Sequence, residues 1–381
     1  MPLVRALVAA AVLAAVCGTG AACATAAGAG HRTAGQTGTG DGTGHDAAGP
    51  TRPEAAGPTR HDAAGPTRPE AAGPTRHDAA GPTGRGGAPD DEPFFVAPGS
   101  HAARQATAWR AAGRTADARL MDRIAARPQA EWLTGPHPEA AVRDRTTAAA
   151  RHRRTAVLVA YYIPQRDCGA HSAGGAPSAA AYRAWIDAFA AGLGDRDAYV
   201  VVEPDAVPHA VAGCAQVVPA ERYALLAYAV DRLGRQSGTR VYLDAGNPGW
   251  IPDPARLVGP LRSAGVTRAD GVALNVSNFH TDRTTSAYGR RLSGLLGGTR
   301  LVIDTSRNGN GPHLGPGTDL WCNPPGRALG RPPTRRTGDP LIDAYLWIKR
   351  PGESDGTCRG GPAAGRWWPS YAMDLAANAH D

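Results

Sequence analysis

Six short apolar runs constrain this chain more than any other feature, because each is followed within a few residues by a carboxylate, an amide or the only lysine. They cover residues 156–163, 198–202, 240–243, 271–276, 300–303 and 344–348. None alternates apolar with polar residues, so each reads as a strand buried on both faces. Helical patterns at 179–192 and 219–235 separate the first runs, and strand–helix–strand alternation predicts parallel strands curled into an α/β barrel. Folded sequence begins near Pro93-Phe94-Phe95-Val96, and residues 102–127 carry apolar side chains at helical spacing, which predicts a helical lead-in.

In a parallel barrel the loops at the C-terminal strand ends converge on one mouth, so the residues there are the ones to read for chemistry. They are Asp167; Glu203 and Asp205; Asp244; Asn275 and Asn278; Asp304; and, after the last run, Lys349, Glu353 and Asp355. One acidic residue at a strand end is commonly a helix cap. So many on one rim repel each other unless protons, ligands or cations compensate. Two carboxyl groups of unequal pKa are the minimal apparatus for cleaving a glycosidic bond, and tryptophan faces stack on sugar rings. Trp132, Trp250 and Trp321 read as loop-borne sugar platforms, whereas Trp185 and Trp347, within a helix and a strand, read as core. Lys349 is the only lysine in a Lys plus Arg total of 41. A single retained ammonium marks a place where a compact charge fits and a guanidinium fork does not.

The remainder of the chain has a different character. Residues 1–24 pair Arg5 with an apolar stretch at 6–16 and reach small residues at Ala22-Cys23-Ala24, which predicts an export signal and a secreted protein. The alternative is a lipid anchor at Cys23, although the bulky aliphatic residue usual three places earlier is missing. Residues 25–92 are rich in Ala, Gly, Pro and Thr, with an eight-residue unit recurring from Ala47, Ala55, Ala63, Ala71 and, degenerately, Ala79. Such a segment cannot offset the entropy of ordering and is expected to be a disordered linker. Its His45, His61 and His77 build no preformed metal site at sixteen-residue spacing. Cleavage after Ala24 would leave Cys168, Cys214, Cys322 and Cys358, an even set suited to disulfides, with three connectivities open. The formal charge of +7 is scattered as surface arginine, and no nucleic-acid partner or membrane span is expected.

Six blocks, taken together and in order, resemble the glycoside hydrolase family 6 cellulases from Phe94 onward. They are Tyr161-Tyr162-Ile163-Pro164-Gln165-Arg166-Asp167-Cys168, Val202-Glu203-Pro204-Asp205, Tyr242-Leu243-Asp244-Ala245-Gly246, Leu274-Asn275-Val276-Ser277-Asn278-Phe279, Trp321-Cys322-Asn323-Pro324-Pro325-Gly326, and Trp347-Ile348-Lys349-Arg350-Pro351-Gly352-Glu353-Ser354-Asp355-Gly356. The resemblance implies one catalytic domain over residues 93–381, a distorted, partly open barrel of about seven parallel strands. It also implies inverting hydrolysis of β-1,4-glucan by a monomer, with no metal or organic cofactor. On it Asp205 is the general acid, Asp167 supports that acid and orders the attacking water, and Asp355 is the candidate base. Tyr161 would crowd the distorted sugar, with Lys349, Glu353, Asn275, Asn278 and the three loop tryptophans among the sugar contacts. The resemblance also implies the pairs Cys168–Cys214 and Cys322–Cys358. Two departures stand out: Asn247 replaces the His common after Asp-Ala-Gly, and the Ser172 loop has few serines. The short folded region favours internal cutting, an endoglucanase, over a chain-end cellobiohydrolase, and the intact aspartates argue against an inactive glycan-binding protein.

Overall fold

The computed structural model describes residues 93–317 and 319–380; the expected export segment and repeat linker lie outside them. Two helices lead in, α1 (His101–Ala111) and α2 (Thr115–Ala125), followed by β1 (Glu131–Leu133) and α3 (Glu139–Arg151). The chain continues through β2 (Ala156–Ala160), α4 (Ala179–Leu193), β3 (Ala198–Val202), α5 (Ala206–Ala212) and α6 (Pro219–Leu233). It ends with β4 (Thr239–Asp244), α7 (Ala255–Ser263), β5 (Gly271–Leu274), α8 (Asp282–Leu295), β6 (Arg300–Asp304), β7 (Ile342–Leu346) and α9 (Pro369–Ala377). The single predicted lead-in helix is two helices, because Gly113 takes a positive φ of 72° that closes the first.

The seven strands pair in chain order, all parallel. The sheet curls into a partly open barrel, with one set of side chains inside and the alternate set facing the helices. Val157, Val159, Tyr199, Val201, Tyr242, Ala273, Val302 and Ala344 share the inner cluster. Leu158, Val200, Val202, Leu243, Leu274 and Ile303 pack outward against helix residues such as Tyr182, Ile186, Phe189, Leu226 and Leu292. Burial of both faces is why these strands read as unbroken apolar runs. Helix α4 shows the complementary pattern. Ser178 caps it through the Ala181 N–H, and Tyr182, Ile186, Phe189 and Leu193 form one buried stripe.

The two ends of the barrel differ. At the N-terminal end Phe94, Tyr199 and Tyr242 stack edge and tilt at centroid distances of 5.3 and 5.4 Å, filling the interior, and the Tyr242 hydroxyl donates to Asp343 at 2.9 Å. The C-terminal end stays polar. Among the described residues β1 and β7 form no ladder. One backbone bond crosses that seam, Ala130 N to Trp347 O at 3.0 Å. Side chains close the rest: the Trp132 indole donates to Ile348 O at 2.8 Å, and Arg350 donates to Ala130 O at 2.9 Å and pairs with Glu131 at 3.1 Å.

Candidate active site

The strand ends turn sharply, and the backbone shows it. Gln165, Asp167 and Cys168 after β2, Glu203 and Asp205 after β3, and Asn275 and Ser277 after β5 all have φ between 48° and 71°. Non-glycine residues in that region cost on the order of 1–3 kcal/mol each and persist where the surroundings over-determine them. Here the determinants are buried carboxylates. Asp304, fully buried, accepts N–H groups from Ser277, Ser306, Ile348 and Lys349 and so ties the ends of β5, β6 and β7 together. Glu203 does the same for β2, accepting from the Tyr162 and Ile163 amides at 3.0–3.1 Å. Burial nevertheless pushes its carboxyl up to about 7.

Asp205 heads α5 from a left-handed conformation (φ 71°), and its own N–H donates to Asp244 Oδ2 at 2.8 Å. Desolvation first, then the Asp244 charge, then that of Asp167, push the Asp205 carboxyl up to about 8, against opposing pulls from His209 and Lys349. Burial raises Asp244 as well, and its Oδ1 has no partner among the described residues. A proton therefore stays on this group of carboxyls at neutral pH. An Asp167 oxygen, an Asp205 oxygen and a ring nitrogen of His209 all lie within 4.8 Å of one another. Asp167 Oδ2 accepts the Ser172 N–H at 2.6 Å.

Asp355 has the opposite environment. Burial would raise it, but the Arg307 guanidinium 2.8 Å from Oδ2, the Lys349 ammonium 3.2 Å from Oδ1 and the Asn323 N–H at 3.1 Å outweigh that and hold its carboxyl below the usual range. Glu353 is likewise depressed: His101, Arg350 and Lys349 together overcome its burial. The rim thus holds one carboxyl kept protonated and another kept ionised, the division the strand-end pattern called for.

The other expected residues fall into two groups. Tyr161 is buried beside the acid pair: desolvation, then the charges of Asp205 and Asp167, raise its phenol well above the ordinary value. Arg166 stacks over its ring at 4.9 Å and Trp132 meets it edge-on at 5.1 Å. Trp132 lies on β1, not in a loop as expected, which gives its indole the seam bond. Trp250 is half-buried against His209, and Trp321 is exposed at 38%, edge-on to His171 at 6.0 Å. Asn278 accepts the Phe279 N–H and remains partly open. Asn275 is fully buried, and its amide is committed to His280 and to the Asp304 carbonyl. Trp185 and Trp347 are core, at 3% and 2% exposure.

Both disulfides implied by the resemblance are present, Cys168–Cys214 and Cys322–Cys358. The first ties the Asp167 turn to the chain just after α5, and the second ties the Trp321 loop to the Asp355 loop. The Asp167 and Asp355 loops also meet: a side-chain carbon on Gly356 would sit 2.5 Å from the His171 ring, so a larger residue there would have to displace that side chain. With sequence separations of 46 and 36, each bridge is worth about 4 kcal/mol in the chain-entropy model. Replacing Cys168 and Cys214 by serine is expected to lower the guanidinium midpoint accordingly, while an unchanged midpoint would show that the rim holds itself together without the link.

Two further residues belong to the site and carried only weak signals in the sequence. Arg307 lies three places beyond Asp304 in the run Asp304-Thr305-Ser306-Arg307, and a fully buried guanidinium signals a buried anion. His209 lies one helical turn after Asp205, and that i, i+4 spacing was the available sign.

A parallel barrel whose C-terminal rim separates a protonated from an ionised carboxyl has the paired carboxyls that cleavage of a glycosidic bond uses. The family model described as "Glycosyl hydrolases family 6" matches residues 89–379, and the chain belongs to that family. It is 43% identical over 290 residues to Endoglucanase A of Cellulomonas fimi, covering 75% of this chain and 61% of that protein. Against Endoglucanase A of Thermobispora bispora it is 44% identical over 302 residues, covering 76% and 63%. The chain thus matches less than two thirds of the length of these curated relatives. Among solved structures it resembles the endoglucanase Cel6 from Mycobacterium tuberculosis, solved in complex with a thio-linked cello-oligosaccharide. That likeness has a TM-score of 0.70 and 46% identity, and covers 75% of this chain and 97% of the other.

Proposed function

We propose that this protein is a secreted hydrolase of β-1,4-glucosidic bonds in cellulose or a related β-glucan, cutting internally and with inversion. The observation that carries the reading is Asp205: a carboxyl on the mouth of the barrel whose surroundings keep it protonated where a leaving oxygen needs a proton. In this reading Asp205 protonates the glycosidic oxygen while water attacks the opposite face of the sugar. Asp167 lies within 4.8 Å of Asp205, nearer than the roughly 6.5–9.5 Å of a direct inverting acid–base pair. Its role is to keep the acid protonated and to order the water. Asp355, with both oxygens bonded by cations, is a weak base and a strong anion, suited to stabilising positive charge on the sugar. Tyr161, Lys349 and Glu353 shape the pocket around that sugar, Trp250 and Trp321 offer ring faces along the groove, and Asn278 offers a partly open amide.

Relatives named endoglucanases match at 42–44% identity and those named exoglucanase or cellobiohydrolase at 31–33%, which supports internal cutting. The export-like segment and the two disulfides support secretion. No helix among the described residues is long and apolar enough to cross a membrane. Carboxymethyl cellulose tests the reading. Viscosity is expected to fall well ahead of the release of reducing ends; matched rates would favour chain-end action, and no release at all would remove the hydrolase assignment.

A further inference from the structure

The acid pair touches a third group that the proposed chemistry leaves unused. His209 lies on α5 one turn beyond Asp205, with its backbone N–H donating to the Asp205 carbonyl at 2.8 Å. Its Nε2 is 3.6 Å from Asp167 Oδ1. The other face of the contact is Trp250, whose ring meets the imidazole edge-on at a centroid distance of 4.7 Å and an angle of 78°. The base of that tryptophan is fixed separately, since Asn247 Oδ1 accepts the Gly249 and Trp250 amides at 3.0 and 3.1 Å.

We propose that His209 is a positioning residue that couples the Trp250 ring to the Asp167–Asp205 pair. The proposal rests on the hydrolase reading above. Asp167 has one oxygen held by its own loop at Ser172 and the other 3.6 Å from His209 Nε2, so the imidazole bounds the space that the second oxygen can occupy. The same imidazole supports the Trp250 ring. A sugar settling on Trp250 therefore presses on the group that orients Asp167, which links substrate binding to assembly of the acid site. The disulfide from Cys168 to Cys214 brackets this unit, joining the Asp167 turn to the far end of α5. The other charged or titratable groups acting on Asp205 are Asp244 from β4, Lys349 after β7 and Tyr161 after β2. His209 is the one contributed by α5 itself.

Three substitutions separate the two contacts. His209→Gln keeps a polar group beside Asp167 and loses the ring; His209→Phe keeps a ring against Trp250 and loses the polar edge; His209→Ala loses both. On carboxymethyl cellulose His209→Phe is expected to lower kcat by about 10–100-fold, the cost of a misplaced reacting group, with KM near wild type. His209→Gln should keep most of kcat and raise KM several-fold, and His209→Ala should show both losses. Three variants indistinguishable from wild type, or three equally impaired with equal losses of Tm, would overturn the proposal. If wild type itself releases no reducing ends, the hydrolase reading fails first. Calorimetric binding of cellotetraose then decides the Trp250 half: affinity retained by His209→Phe and lost by His209→Ala supports the coupling, and equal affinities refute it.

Discussion

Asp205→Asn is expected to lower kcat on carboxymethyl cellulose by about 10²–10⁴-fold, the usual contribution of a positioned general acid, with little change in cello-oligosaccharide affinity. The amide has nearly the shape of the acid, so the left-handed turn and the N–H bond to Asp244 can persist. What is lost is the proton. A substrate with a leaving group that departs unaided, such as a dinitrophenyl cellobioside, should lose far less rate. The pH dependence follows with a definite sign. Burial and the Asp244 and Asp167 charges push the Asp205 carboxyl up to about 8; since the donor works only when protonated, wild-type kcat/KM should hold below that value and fall as pH rises through it. A variant as active as wild type on carboxymethyl cellulose would end the assignment.

The largest stability effect is expected at Arg307→Met. The guanidinium is fully buried, bonded to Asp355 at 2.8 Å and to the Ser277 carbonyl at 2.6 Å, and lies over the Phe279 ring at 4.3 Å. Removing it leaves Asp355 buried with Lys349 as its one remaining cation, and breaking a buried pair from one side costs about 3–5 kcal/mol. Calorimetry should show a fall in Tm of roughly 6–20 °C, from ~2–4 °C per kcal/mol for a domain of this size. The paired Asp355 carboxyl is depressed in the folded state, so its contribution is present above the ordinary aspartate range and is lost as pH falls below it. The gap between variant and wild type should therefore narrow in acid. The double variant Arg307→Met, Asp355→Leu should recover much of the stability and none of the activity; a double variant as unstable as the single one would place the loss in packing against Phe279.

The strands were legible because a barrel strand covered by helices outside and by neighbours inside has no polar face to interrupt it. β1 was not, since Glu131–Leu133 is three residues long and carries a half-buried tryptophan; its pairing comes from β2 and from the seam, not from its own pattern. The rim carboxylates were legible as a set, and their separate roles were not. Asp304 and Asp205 both follow apolar runs, and they part company only through their surroundings: the first is surrounded by amide donors, the second by like charges. Those surroundings come from distant segments. Arg307 and His209 stayed hidden for the same reason, because the Asp355 that Arg307 neutralises is 48 positions away and His209 meets Trp250 only once α5 and the loop after β4 are side by side.

The seam between β1 and β7 has a consequence for how such a protein can diversify. A barrel closed by a ladder all round has its girth set by strand count and shear, which point substitutions do not alter. Here one backbone bond, one indole and the Arg350 guanidinium span the gap. The width of the mouth on that side is accordingly written in side chains. On the hydrolase reading proposed above, exchanges at Trp132, Glu131 or Arg350 are expected to retune which glycan fits while the carboxylates on the laddered strands keep their positions, so specificity and chemistry can change separately.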